Sequence, residues 1–274
     1  MLNRTKDKII QEVQKNGISE CQEFFNKDKF EDLKKILINN KSVKGTKNSF
    51  FYRSKGKFLL RKLFNFEFAN FLDCLKLINL SKNLKLNQLS SEIRGRKTKL
   101  VSIDSYFSEV SSSKVLDWHV DQAYSGNLKP KQFLNPDHRC LKYFFYLTDV
   151  SSNNGCLGYI PGSHKILYFL KLGIFNDEIK YKPYWKLNDL RNIVQDDYYR
   201  NYLETKIKKE LIDSFLEQSS FIINSPHDTQ EYDFVLKKSS TLIFDEAGVH
   251  RGAETLKTNR LVVRFVYKDI HASD

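Results

Sequence analysis

The residues with the most recognisable chemistry are His119 and Asp121, which lie two positions apart in the stretch 116–122. Residues i and i+2 of a β-strand point to the same face, so an imidazole and a carboxylate would converge there with the spacing of two metal ligands. An H-x-D pair is a weak motif by itself. The signal becomes stronger because His250 stands downstream, since two His and one carboxylate with open coordination positions are a ligand set for non-haem Fe(II).

A strand that carries arginine follows the third of these residues. Arg260 comes ten residues after His250 and opens the apolar run 260–267. A planar guanidinium binds a carboxylate through two parallel hydrogen bonds, so an arginine in a strand near the metal ligands suits the distal carboxylate of 2-oxoglutarate. Arg264 shares the same strand face and is the competing choice, and the spacing from His250 favours Arg260.

The N-terminal third of the chain has the pattern of helices. Apolar residues recur near a 3.6-residue period in 1–40 and 58–80, which predicts helices in both stretches. The polar stretch 41–56 is predicted to be a loop, and 81–96 is predicted to be a polar connection. We therefore interpret residues 1–95 as a mostly helical N-terminal region.

From about residue 100 the pattern becomes that of β-strands. Apolar residues repeat at i+4 within 203–215, which predicts helix in 165–220, and we interpret this part as an insertion because strands resume after it. The sequence thus predicts one catalytic domain over 1–274, with its β core in 96–164 and 221–268. The predicted strands, rich in β-branched and aromatic residues, are 100–107, 141–150, 156–160, 234–236, 240–244 and 260–267.

Composition limits the classes of function. The formal net charge is +12, but the basic residues are spread along the chain and form no long block, so we expect a small-molecule substrate and no nucleic-acid partner. The four cysteines lack C-x-x-C spacing, which argues against a structural zinc site and a dense disulfide framework. The N-terminus has no apolar core of a signal peptide and no apolar run is long enough to span a membrane, so we expect a cytoplasmic protein.

The second half of the chain carries several blocks in a recognisable order. These are W-H-V-D at 118–121, Y-L-T-D-V at 146–150, N-G-C-L at 154–157, P-G-S-H-K at 161–165, then His250 and Arg260. Their order and spacing resemble the phytanoyl-CoA dioxygenase family of Fe(II)- and 2-oxoglutarate-dependent oxygenases. The resemblance covers roughly residues 100–267, and residues 1–95 resemble nothing beyond a helical lead-in.

The resemblance implies a fold and a set of roles. The fold is mainly β with flanking helices, and its core is a double-stranded β-helix of the jelly-roll or cupin type. The iron ligands and catalytic residues would be His119, Asp121 and His250, and the 2-oxoglutarate anchor would be Arg260, with Thr241 as a helper. Fe(II), 2-oxoglutarate and O2 would be required, with ascorbate as reductant in vitro.

The reaction and the substrate stay open at this point. Hydroxylation is the expected outcome, and desaturation, epimerisation and cyclisation begin with the same hydrogen abstraction. The substrate would be a lipid-like, sugar-like or secondary-metabolite molecule; the alternatives are an oxygenase of nucleic acid or protein, or a non-catalytic metal-binding jelly roll. Candidate substrate contacts, chosen by position, are Gln122, Tyr106, Tyr143, Arg139, Trp185 and Arg251.

Overall fold

The computed structural model describes residues 2–22, 24, 27–39, 47–53, 68–110, 116–121, 135–136 and 139–270 of the chain. Its elements, numbered in chain order, are α1 (Leu2–Asn16), β1 (Ile18–Cys21), α2 (Lys27–Asn39), β2 (Lys47–Arg53), α3 (Phe68–Asn83), α4 (Leu86–Arg94), β3 (Thr98–Ser108), β4 (Leu116–His119), β5 (Cys140–Tyr146), β6 (Leu157–Tyr159), α5 (Ser163–Phe175), α6 (Leu187–Gln195), α7 (Asp197–Glu204), α8 (Lys209–Asn224), a 3-10 turn (Thr229–Tyr232), β7 (Asp233–Phe234), β8 (Thr241–Asp245), β9 (His250–Gly252) and β10 (Arg260–Asp269).

The larger sheet has six strands in the order β1-β8-β5-β10-β3-β2. All its pairings are antiparallel, and β10 is bound on one side by β3 and on the other by β5. Side chains alternate between the two faces of each strand. One face, with Tyr146 and Val262, packs towards the second sheet, whereas the other face, with Tyr143 and Phe145, packs under the N-terminal helices.

The smaller sheet has four short strands in the order β4-β9-β6-β7. A buried cluster that includes Tyr146, Tyr159, Phe244 and Val262 fills the space between the two sheets. Two facing antiparallel sheets with flanking helices confirm the predicted fold class. Among the described residues, helices nevertheless contribute more than strands, about 44% against 27%, because helices cover the β core on several sides.

The N-terminal region contains three elements that the sequence analysis assigns wrongly. Strand β1 interrupts the predicted helix 1–40 and pairs with β8, and β2 lies in the predicted loop 41–56 and pairs with β3. Both are edge strands, so their pairing depends on distant residues that a local pattern does not contain. Helix α4 replaces the predicted connection 81–96, and its buried residues Leu86, Leu89 and Ile93 have helical spacing. Of the predicted helix 58–80, the part before residue 68 lies outside the described residues.

Helices α5 to α8 fill the interval between β6 and β7, where the sequence predicts helix. They share a buried apolar cluster with Val120 and Val249, which lie next to the predicted ligands His119 and His250. This packing fixes the backbone on either side of both histidines. Of the helices that the structure describes, none is long and apolar enough to cross a membrane.

Candidate active site

The three predicted metal ligands converge at one end of the smaller sheet. His119 closes β4 and is paired with His250, which opens β9. The ligand atoms of His119, Asp121 and His250 all lie within 4.8 Å of one another. The Nε2 atom of His250 is 3.3 Å from Asp121 Oδ2, and the Nε2 atom of His119 is 3.7 Å from Asp121 Oδ1. One antiparallel pairing, that of β4 with β9, thus brings His119 and His250 together although they are far apart in the sequence.

Backbone carbonyls set the tautomer of both imidazoles. His119 Nδ1 lies 2.7 Å from the carbonyl oxygen of Asp117, and His250 Nδ1 lies 2.8 Å from that of Gly248. A carbonyl can only accept a hydrogen bond, so each Nδ1 carries the proton and each Nε2 presents its lone pair to the site. Hydrogen bonds of this kind orient metal-binding histidines. Burial lowers the pKa of His250 below its usual value, which favours the neutral, ligating form.

A buried lysine holds the carboxylate of the site. The Lys142 ammonium contacts Asp121 Oδ2 and lies 3.2 Å from Glu246 Oε2, and its side chain is 8% exposed. Burial alone would raise the pKa of Asp121, but the positive charge of Lys142 and the contact with His250 bring it well below its usual value. Asp121 is therefore held as a carboxylate. Lys142 stands inside an otherwise apolar strand, which was a signal that sequence analysis could have used.

Arg260 is buried, and no carboxylate among the described residues is paired with it. It is 5% exposed, and it donates to the carbonyl of Gly155 and the hydroxyl of Ser108, each at 3.0 Å. Its Nε atom is buried and has no hydrogen-bond partner in the described structure. Burial lowers the pKa of this guanidinium, as expected for a charge that lacks a counter-ion.

Arg264, the competing anchor, already has a counter-ion. Its Nε and Nη2 atoms donate to the two oxygens of Asp104 at 2.8 and 2.7 Å, and its guanidinium lies 4.8 Å from the centre of the Tyr106 ring. Burial opposes the charge, but the Asp104 carboxylate outweighs it and raises the pKa of Arg264. Of the two arginines, Arg260 is the one with donors left for an incoming anion.

Tyr146 is a polar group of the site that sequence analysis missed. It is 1% exposed, and its hydroxyl has no hydrogen-bond partner among the described residues. It is paired with Val262, so it shares the sheet face of Arg260. A buried hydroxyl without a partner is costly, which makes Tyr146 a candidate to bind the same ligand as Arg260. The pairing of β5 with β10 is required to see this, and no local pattern contains it.

Three of the predicted substrate contacts lie on or near the site. Trp185 packs its indole against the ring of His119 with 6.5 Å between centroids, and its carbonyl accepts from the Val120 amide. Tyr106 stacks on Arg264, as described above. Arg251 is next to His250 in sequence, but its guanidinium is engaged by Asp233 at 2.8 and 2.9 Å.

The structure does not bring the remaining predicted residues to the triad. Tyr143 is fully buried under the N-terminal helices, where its hydroxyl is 2.8 Å from Ser90 Oγ. Thr241 is paired with Phe145 and therefore lies on the face opposite to Arg260. Arg139 contacts Asp245 beside a separate cavity. Gln122 lies outside the described residues.

Comparison with solved structures shows a shared fold. The non-heme alpha ketoglutarate dependent carbocyclase SnoK from nogalamycin biosynthesis is 13% identical, with a TM-score of 0.54 over 96% of this chain and 83% of that one. HygX from Streptomyces hygroscopicus, solved with iron bound, is 14% identical, with a TM-score of 0.54 over 96% and 86%. The epimerase SnoN, also from nogalamycin biosynthesis, is 12% identical, with a TM-score of 0.51 over 97% and 84%. No curated protein matches the sequence.

A family model identifies the chain more specifically. The model for phytanoyl-CoA dioxygenase (PhyH) matches residues 14–255. This interval includes the three convergent ligand residues and most of both sheets, and it reaches into the N-terminal region, where the motifs alone show no resemblance. The chain belongs to the phytanoyl-CoA dioxygenase family.

Proposed function

We propose that this chain is an Fe(II)- and 2-oxoglutarate-dependent dioxygenase that hydroxylates an unactivated C–H bond of a small organic molecule. The observation that carries the proposal is the convergence of two imidazole Nε2 atoms and one carboxylate within 4.8 Å. In this proposal His119, Asp121 and His250 bind the metal. Two neutral imidazoles and a carboxylate suit Fe(II) and leave coordination positions open.

The protein also has a place for the co-substrate. A nearly buried guanidinium without a counter-ion is energetically costly, and the distal carboxylate of 2-oxoglutarate would supply one to Arg260. The unpartnered Nε of Arg260 and the unpartnered hydroxyl of Tyr146 are two donors for the same group. We therefore assign Arg260 rather than Arg264 as the anchor, and we add Tyr146 to it.

Each residue of the site has a role in this chemistry. Bound Fe(II) and 2-oxoglutarate supply, with O2, an oxidant that removes hydrogen from a C–H bond, and succinate and CO2 are released. The carbonyls of Asp117 and Gly248 keep both imidazoles oriented, and the charge of Lys142 keeps Asp121 ionised. The rings of Phe244 and Tyr159, with centroids 5.4 and 6.4 Å from that of His250, cover the site on one side and limit access of water.

Apolar groups beside the triad support a small organic substrate. Trp185 and Leu116 are 37% and 44% exposed, and both belong to the segments that carry or contact His119. Exposed apolar side chains next to a polar centre are typical of small-molecule sites. The solved relatives named above include a carbocyclase and an epimerase, so cyclisation and epimerisation are outcomes that a product analysis should look for.

The test is the slow conversion of 2-oxoglutarate to succinate in the absence of the primary substrate. Purified protein with Fe(II), ascorbate and 2-oxoglutarate is expected to consume O2 and form succinate, and His119→Ala is expected to abolish this activity. Arg260→Met should raise the 2-oxoglutarate concentration required. His227→Ala removes an exposed histidine, and Arg200→Met removes a partly exposed arginine that is paired with Glu204 and Asp213. Both variants should leave turnover unchanged. Absence of both turnover and a 2-oxoglutarate-dependent absorption band of the Fe(II) complex would overturn the proposal.

A further inference from the structure

A cavity lies away from the triad, and we call it the second cavity to distinguish it from the proposed active site. It has a volume of about 190 Å³ and is enclosed by α1, α4 and α5 and by the ends of β8 and β10. None of the three ligand residues lines it. Its wall contains four cationic side chains, Arg94, Arg96, Arg139 and Lys165, and two carboxylates, Asp245 and Asp269.

The two carboxylates are saturated by other groups. Arg94 donates to both oxygens of Asp269 at 2.8 and 2.7 Å and to Asp245 Oδ2 at 2.7 Å. Asp245 Oδ2 also accepts from Arg139, and its Oδ1 accepts from the Ala247 amide at 3.0 Å. Two arginines and two aspartates thus form a neutral network, and Lys165 is not part of it.

The polar groups that remain are donors. Arg139 Nε is buried without a hydrogen-bond partner. The Lys165 ammonium has no ion-pair partner among the described residues, and burial and the nearby charge of Lys15 lower its pKa. A fold that holds like charges together and leaves guanidinium donors unused is stabilised by an anion placed between them. His164, also in the wall, has its pKa lowered by burial to about 4, so it is neutral and adds no charge.

The remaining wall is apolar. The cavity is also lined by Val13, Ile93, Phe169 and the ring of Tyr168. The Arg139 guanidinium carbon lies over that tyrosine ring at 4.8 Å from its centre, and this contact and the one with Asp245 restrict the position of the guanidinium. Fixed guanidinium groups bind phosphate with two parallel hydrogen bonds, and an apolar wall next to them can cover a few carbon atoms.

We propose that this cavity is a second ligand site that binds a phosphate group carried by a small molecule. The unused Arg139 Nε donor and the Lys165 ammonium suit the oxygens of a phosphate group. The site goes beyond the proposed oxygenase activity and does not depend on it, because no residue of the triad or of the co-substrate site contributes to it.

Calorimetry with the full chain tests the proposal. Inorganic phosphate and phenyl phosphate are titrated separately at constant ionic strength, since screening by salt would otherwise mimic a loss of binding. Tighter binding of phenyl phosphate identifies a phosphate ester as the ligand, whereas tighter binding of inorganic phosphate identifies the free anion. Lys165→Met is expected to raise the Kd at least tenfold. Arg139→Lys keeps the positive charge but removes the planar guanidinium that can donate two parallel hydrogen bonds, and it is expected to raise the Kd about threefold.

Two controls locate the binding. Lys180→Met removes an exposed lysine for which the structure shows no partner, and it should not change the Kd. Arg260→Met should not change it either, since Arg260 belongs to the other site. Absence of saturable binding to the wild-type chain, an equal effect of Lys165→Met and Lys180→Met, or loss of binding in Arg260→Met alone would overturn the proposal. None of these results bears on succinate formation, so the two proposals fail separately.

Discussion

Replacing Lys142 by Met is expected to tighten the binding of divalent metal to the triad. In the structure the buried Lys142 ammonium compensates two carboxylates, Asp121 and Glu246. The same ammonium group lies beside the proposed metal site, where its positive charge repels a bound metal cation. Methionine has a similar length and no charge, so Lys142→Met removes the competing cation and leaves both carboxylates to interact with the metal.

The size of the effect follows from the distances. A pair of unit charges 3.2 Å apart, as for Lys142 and Glu246, interacts by about 5 kcal/mol at an effective dielectric constant of about 20. Breaking a buried pair by removing one partner typically costs about 3–5 kcal/mol of folding stability. A bound divalent ion restores part of that loss. If it restores only about 1.4 kcal/mol, the metal affinity rises roughly tenfold.

Titration with Co(II), followed by its absorption, measures the affinity without any turnover. Lys142→Met should show a lower metal-free melting temperature, a larger rise of that temperature on metal binding, and a Kd at least tenfold lower than the wild type. The double variant Lys142→Met/Glu246→Gln removes one carboxylate as well and should recover much of the metal-free stability. If folded Lys142→Met bound Co(II) more weakly than the wild type, Lys142 would be positioning Asp121 for the metal, and the reasoning from charge would be wrong.

Three further predictions concern other parts of the two sites. Gly155 has φ +74°, and a Cβ there would lie 2.7 Å from Arg260 Cδ, so Gly155→Ala should raise the KM for 2-oxoglutarate at least tenfold. Gly95 has a similar φ, but a Cβ there would meet nothing within 4 Å, so Gly95→Ala should leave this KM unchanged. Tyr146→Phe should raise that KM about threefold to tenfold without lowering the melting temperature, because the lost hydroxyl has no partner among the described residues. His164 has a folded pKa of about 4 and an unfolded pKa near 6.5, so the unfolded chain binds more protons between these pH values. The free energy of unfolding should therefore fall by about 3 kcal/mol as the pH drops from the higher value to the lower one. Denaturant titrations of His164→Gln should show a flatter pH dependence than those of the wild type.

The convergence of His119, Asp121 and His250 could be predicted from the sequence because residue types and short spacings carry much of the signal. The i, i+2 spacing of His119 and Asp121 already implies a shared strand face, and the later histidine and arginine complete a set of residue types with one common chemistry. Geometry within the site is different. Asp104 neutralises Arg264, whereas no acidic residue in the described part of the chain neutralises Arg260. This difference depends on the register of β10 with β3, which residue types alone do not determine.

The errors also have a common physical cause. Thr241 and Tyr143 were chosen by position in strands, but a shift of one residue moves a side chain to the other face of the sheet. The register of β8 with β5 places Thr241 beside Phe145, away from Arg260. Strand β1 was missed because four residues at a sheet edge carry too little pattern to outweigh the helical signal around them. In each case the deciding contact is made with a residue far away in the sequence: Phe145 is 96 positions from Thr241, Ser90 is 53 from Tyr143, and Phe244 is 226 from Ile18.

The segment 245–250 connects the two proposed sites through alternate residues. Asp245 lines the second cavity and binds Arg94 and Arg139, whereas Glu246 binds Lys142, which also contacts Asp121 of the triad. The carbonyl of Gly248 then holds the imidazole of His250, and a Cβ on Gly248 would lie 1.8 Å from the Tyr159 hydroxyl, so the backbone there is closely confined. A ligand that draws Arg139 away from Asp245 therefore acts on the same six residues that orient His250. Titrating phosphate while following the Co(II) spectrum of the triad would measure this coupling directly.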